Sequence, residues 1–157
     1  MLFTVVATLS GNAQDWSAVL NSVDGLPGEA EAYYGELYYR FASQTFTPGT
    51  SVDKIRLTVL NTRTDEAPNG NNVIFSLSGL TVYDGNGTPV DYIAYSNADH
   101  NSLAYNTDGD GLPALNDNDI KSYFHSMWSS PGVSDSHYIE LSLAKSVSSF
   151  RVEWTTR

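Results

Sequence analysis

Cysteine is absent from the 157-residue chain, which excludes disulfide frameworks, thiolate nucleophiles and Cys-ligated zinc. Positive charge is scarce: 8 Lys and Arg stand against 18 Asp and Glu, a formal net charge of −10. No basic stripe is present to meet a phosphate backbone, so nucleic acid is not an expected partner. An anionic membrane surface is disfavoured for the same reason. Long apolar runs are missing too. The longest are strand-sized, so membrane insertion is not expected. The opening MLFTVVATL lacks a basic n-region and a long apolar h-region, and it reads as a strand rather than a signal peptide. The last strand pattern runs to Arg157 without a tail, so both ends have the look of cuts in a longer protein.

What is present favours strands. Hydrophobic residues make up 41% of the chain and aromatics 12%, ten of them Tyr, while Gly, Ser, Thr and Asn fill much of the rest. One domain with one core fits this length, so residues 1–157 are expected to form a single β-sandwich domain. Period-two alternation dominates: Phe3, Val5 and Ala7; Ile55, Leu57 and Val59; Ile139, Leu141 and Leu143; Phe150, Val152 and Trp154. One face of each strand can enter a core while the other is largely polar. Leu57, Val59, Ile139, Leu141, Phe150, Val152 and Trp154 are the expected inward positions. Further strands are predicted at Glu36–Phe46, Asn72–Tyr83 and Val90–Tyr95. Turn signals lie at Pro48-Gly49, Pro68-Asn69-Gly70, Asp84-Gly85-Asn86-Gly87 and Pro131-Gly132. The only helical expectation is one short turn over Asp119–His125. The predicted class is all-β, an antiparallel sandwich or jelly roll.

The stretch LNDNDIKSYFHSMWSSPGVSDSHYIELSLAKSVSSFRVEWTTR, residues 115–157, resembles the first half of a discoidin (coagulation-factor type C) domain. Asp117-Asn118-Asp119 stands for that family's Asp-Gly-Asp, and Ser122 to Ser126 for its aromatic and His-Ser core. His137–Leu143 and Ser149–Trp154 stand for two of its strands. FTVVATLSGNAQDWSAVL at 3–20, KIRLTVLNT at 54–62 and FSLSGLTVYDGNG at 75–87 resemble the second half of the same family. Residues 1–90 thus look like the C-terminal half and 91–157 like the N-terminal half. This order implies a circular permutation or a window cut across two repeats. The resemblance implies a galactose-binding-like jelly roll, similar to the family 32 carbohydrate-binding modules. It also implies that the strand starting at Phe3 lies beside the strand ending near Trp154, or one removed.

Carried onto this chain, the family's calcium loop implies ligands from Leu115, Asp117, Asp119 and Ser122, since hard cations take several oxygens at short range. Gly79 stands where the family often has a Glu ligand. The plainer reading is an Asp-capped turn held by its own backbone bonds. NTDGDGLPALND at 106–117 also approaches an EF-hand loop, with Asn106, Asp108, Asp110, Gly111 and Asp117. Pro113 inside it, and the absence of a helix leading in, tell against that. For a sugar site the requirement is an aromatic platform beside amide, imidazole or guanidinium donors. His100, Asn101, Tyr105 and Trp128 are the candidates, against a packed Trp128 and a merely solvated His100. His125-Ser126 invites a catalytic reading, but no nucleophile elbow and no HExxH is present. The resemblance places His125 in a buried structural turn.

The expected function is a non-catalytic carbohydrate-binding module of a larger secreted or cell-surface protein, bacterial in character, with glycan held by loops at one end of the sandwich. Calcium is the one cofactor in view, and neighbouring domains of the parent protein are the other partners. The alternative is a structural or adhesion repeat, calcium-stabilised, that mediates assembly.

Overall fold

The computed structural model describes residues 2–8, 18–23, 30–34, 37–61, 74–100, 109–127 and 137–156, with side chains described from 43 onward within these ranges except at 60, 61 and 156. Its strands are β1 (Leu2–Thr8), β2 (Ala18–Val23), β3 (Ala30–Tyr34), β4 (Leu37–Phe46), β5 (Val52–Asn61), β6 (Ser76–Asp84), β7 (Tyr92–Ser96), β8 (Phe124–His125), β9 (Tyr138–Val147) and β10 (Phe150–Thr156). They pair antiparallel into two five-stranded sheets, ordered β2-β1-β5-β9-β7 and β3-β4-β10-β6-β8. The protein is an all-β antiparallel sandwich. Among the described residues, no helix is long and apolar enough to cross a membrane.

Period-two alternation becomes the core directly. All seven expected inward residues are buried in one cluster drawn from both sheets. Sheet one supplies Ile55, Leu57 and Val59 from β5 with Ile139 and Leu141 from β9. Sheet two supplies Leu80 and Val82 from β6 with Phe150, Val152 and Trp154 from β10. Phe46 stacks on Phe150 with ring centroids 5.2 Å apart. Aromatic pairs at such distances add to the burial of their area. Trp154 is the largest fully buried side chain. Tyr92 ties the sheets together through the core, donating its hydroxyl hydrogen to the Leu80 carbonyl at 2.5 Å.

β6 departs from simple alternation. Thr155 faces Gly79 and Thr156 faces Leu77, so Ser78 is an extra residue, a β-bulge. Both Leu77 and Leu80 are buried as a result, although three positions apart. After β6 the expected turn forms. Asp84 Oδ1 accepts the Asn86 and Thr88 N–H groups, each at 2.9 Å, and Gly87 takes φ +78°. Val90 still donates its N–H to Val82 at 2.8 Å, so the chain leaves sheet two only afterwards. This delays β7 to Tyr92–Ser96, later than the predicted start at Val90.

Two expectations are corrected. The helical turn predicted over Asp119–His125 lies earlier, as a 3-10 helix at Leu112–Leu115 with Pro113 in its first turn, where its fixed φ suits it. Asp119 and Ser122 close only one turn, and Phe124 and His125 are extended, pairing with Leu77 and Ser76. The Phe3 strand, β1, lies between β2 and β5 in sheet one, whereas β10 lies between β4 and β6 in sheet two. The two strands are therefore not neighbours within one sheet. Pairing partners are set by long-range closure, which local alternation does not encode. The turn signals at residues 68–70 and 131–132 lie outside the described residues.

Candidate functional site

The acidic loop is closed on itself. Asp117 Oδ1 accepts the Asp119 N–H at 2.8 Å, and Asp119 Oδ1 accepts the Lys121 N–H at 2.9 Å. The Ser122 hydroxyl is 2.6 Å from Asp117 Oδ2 and 2.9 Å from the Asp119 carbonyl. The Ser122 hydroxyl, and then the Asp119 N–H, hold the Asp117 carboxyl below the usual carboxylate range. Leu115 is buried, with its carbonyl 3.5 Å from the Tyr92 hydroxyl. Thus Asp117, Asp119 and Ser122 come together, while Leu115 faces inward. Among the described residues no group of three His, Asp or Glu side chains is gathered to hold a metal. The EF-hand candidate Asp110 is engaged with Tyr123: it accepts the Tyr123 N–H at 3.0 Å and donates its own N–H to the Tyr123 carbonyl at 2.7 Å. Gly109 is required there, because its φ is +80° and a Cβ would meet the Tyr123 carbonyl oxygen at 2.6 Å. Asn106 and Asp108 lie outside the described residues.

Of the four sugar-site candidates, Asn101, Tyr105 and Trp128 lie outside the described residues. His100 is described, and it is 2% exposed. It is neither a solvated side chain nor a donor presented to solvent. Its ring meets His125 edge-on, centroids 5.7 Å apart. Its placement is a correction with a physical cause: the segment after β7 turns inward, with Ala98 fully buried and accepting the Met127 N–H at 2.9 Å. Ser126 is 0% exposed and sits between segments. Its Oγ accepts the Phe75 N–H at 2.9 Å and lies 2.9 Å from His137 Nδ1. That spacing would suit a nucleophile and base, and the hydroxyl is fully buried.

Exposed aromatic surface is found elsewhere, on the outer face of sheet one. β7 is the last strand in that sheet's order, and alternation turns Ile93 and Tyr95 outward, 78% and 55% exposed. Strand pairing sets Tyr95 beside Glu140 and Glu140 beside Arg56, so the three form one row across β7, β9 and β5. Strand spacing makes that row roughly 10 Å long. Arg56 Nε donates to Glu140 Oε1 at 3.0 Å, and the guanidinium lies 4.1 Å from the Tyr138 ring centroid. Tyr138 and Tyr95 have centroids 6.4 Å apart. Burial raises the Tyr138 phenol above its ordinary range, outweighing the opposing pull of Arg56, so it remains an O–H donor at neutral pH.

No protein-family model, no curated protein and no solved structure matches this chain. The functional reading therefore rests on side-chain chemistry. Two phenol rings, a guanidinium and a carboxylate on one flat, half-solvated face offer both apolar contact and hydrogen bonds. Arg56 and Glu140 alternate in sequence with the inward Leu57 and Ile139, but only the β5–β9 pairing joins them. Tyr138 and Tyr95 are 43 positions apart (138 against 95) and meet only through the β7–β9 pairing. The available signal was the outward phase of Tyr95, two residues from the apolar Ile93.

Proposed function

We propose that this protein is a non-catalytic carbohydrate-binding module of a larger secreted or cell-surface protein, and that it takes a neutral glycan on the outer face of sheet one. The observation that carries this reading is Tyr95, a 55% exposed aromatic on a sheet face, flanked by Tyr138 and the Arg56–Glu140 pair. A tyrosine ring offers a rigid apolar plane with a polar tip, suited to the C–H face of a sugar and its hydroxyls. The ion pair leaves no net charge in the row, and Lys54 stands in the next row beside Ser142 and Ile93. The chain's −10 charge repels polyanions, including acidic glycans. A neutral amphiphilic ligand fits what remains.

The test is an array of immobilised glycans probed with the intact protein and with Tyr95→Ala, in calcium and in chelator. Neutral glycan binding that Tyr95→Ala removes supports the reading. Binding that survives Tyr95→Ala but fails with Trp128→Ala moves the site to the loops. An alternative is an adhesion repeat that meets other protein surfaces, which the 78% exposure of Ile93 on a terminal strand favours. In that reading calcium at the Asp117 loop stiffens the repeat. A ligand that binds only the native state raises its melting temperature, so a calcium-dependent rise lost in Asp117→Ala supports it.

A further inference from the structure

All three histidines of the chain meet in one buried cluster, although they stand at positions 100, 125 and 137. His100 and His125 are in edge-to-face contact. The His125 Nδ1 contacts the Ser126 carbonyl, and His137 Nδ1 contacts the Ser126 hydroxyl. Backbone bonds radiate from the same point. Ser126 donates its N–H to Phe75 at 3.0 Å, just before β6. Met127 donates to Ala98, and Val59 of β5 donates to the His137 carbonyl at 2.9 Å, just before β9. Four segments from both sheets are joined through three imidazoles and one hydroxyl.

We propose that His137, within the buried three-histidine cluster, is an acid-sensitive lock on this end of the sandwich, closed when its ring is neutral and loosened when it takes a proton. A proton on His137 brings a charge into a site only 4% exposed, beside the packed His100 and His125 rings. Among the described residues, the groups facing the cluster are few. Asp99 is bridged through its backbone to Ser126, Tyr123 lies 6.5 Å from His125, and Asp110 is bonded to the Tyr123 amide. Phe75 and Ser76 approach from the β6 side, Val59 from β5 and Ala98 from the end of β7, none of them charged.

Burial, and then the neighbouring His125, hold His137 below the ordinary histidine range of 6.5. The unfolded chain therefore takes protons first as pH falls through about 6.5, and stability is lost progressively below that point. The rest of the molecule pulls the other way. Its net charge is −10 and its pI about 4.4, so acidification toward the pI relieves self-repulsion. Destabilisation between about pH 7 and about pH 5 thus carries the sign of the histidines.

Thermal melts across that window test the proposal. The melting temperature is expected to fall by several degrees, at roughly 2–4 °C per kcal/mol for a chain of this size, and His137→Gln should flatten the slope. Should that variant fail to fold, amide-exchange protection factors of the unaltered protein decide. The Val59, Ser126 and Met127 amides should lose protection on acidification ahead of those in β10. A melting temperature that stays level or rises on acidification, a slope unchanged in His137→Gln, or a uniform loss of protection across these amides would overturn it.

Discussion

The two outer faces of the sandwich carry the same three residue types in contact, and among the described residues only one carries more. On sheet one, Arg56 lies 4.1 Å over Tyr138 and pairs with Glu140. On sheet two, Arg151 lies 4.1 Å over Tyr83 and pairs with Glu153. In each case the strand face is polar, the guanidinium is spread over a ring, and the carboxylate closes the pair. The repetition teaches that arginine over tyrosine beside glutamate is first a way to hold a solvated sheet face in order. What distinguishes sheet one is the addition of Tyr95 and Ile93, which appear as the exposed large apolar side chains among the described residues. The binding proposal therefore depends on that addition and not on the shared arrangement.

The largest expected effect separates the faces by function. Tyr95→Ala should weaken glycan binding roughly thirtyfold, the loss of an aromatic anchor worth about 2 kcal/mol, and Tyr83→Ala should leave it within about twofold. Titration of each variant with the glycan identified on the array measures both. Equal losses would erase the distinction between the faces. A middle effect concerns stability. Arg56 and Glu140 are 22% and 26% exposed, Arg151 and Glu153 34% and 40%. Pairs closer to solvent are more screened. Arg56→Met is expected to lower the urea unfolding free energy by about 1 kcal/mol and Arg151→Met by about half that. A larger loss on sheet two would reverse the ranking.

The smallest effect lies where the sheets touch at their rim. Lys145 of β9 reaches Asp84 of β6 at 2.7 Å. The Lys145 ammonium, and then the Thr88 N–H, hold the Asp84 carboxyl below 3.8. A carboxyl with a depressed pKa contributes stability above its unfolded value and loses it as pH falls through the lower folded value. Asp84→Asn should therefore lower stability slightly above about pH 4, with the difference from the unaltered protein fading as pH falls further, and leave glycan binding on sheet one unchanged. A change in binding would mean that the rim pair couples the two faces.

Most of the fold was legible because alternation is local. Leu57, Val59, Ile139, Leu141, Phe150, Val152 and Trp154 needed only period two to be placed inward. What escaped was either an interruption of that period or a matter of partners. The Ser78 bulge buries Leu77 and Leu80 together, a spacing that period two does not allow. The position of β1 depends on which strand closes beside it, and nothing within residues 2–8 states that. The site was less legible for the same reason. His100 looked polar and loop-borne, but its ring is buried against His125, a neighbour reached only by folding. The Asp117 turn was foreseen in its self-capped form because its bonds span no more than five residues.

Tyr92 gives the platform a mechanical property. Tyr95 stands on the outer side of β7, while three residues earlier Tyr92 passes beneath the strand and fastens its hydroxyl to the Leu80 carbonyl in the opposite sheet. β7 has only five residues and a single paired neighbour in sheet one, β9. The phenol under it acts as a pivot pin. A ligand that shifts β7 at Tyr95 is expected to disturb the Tyr92 hydrogen bond at Leu80 on the far side of the core. The carbonyl resonance of Leu80 is therefore a gauge, read in one layer, of what rests on the other.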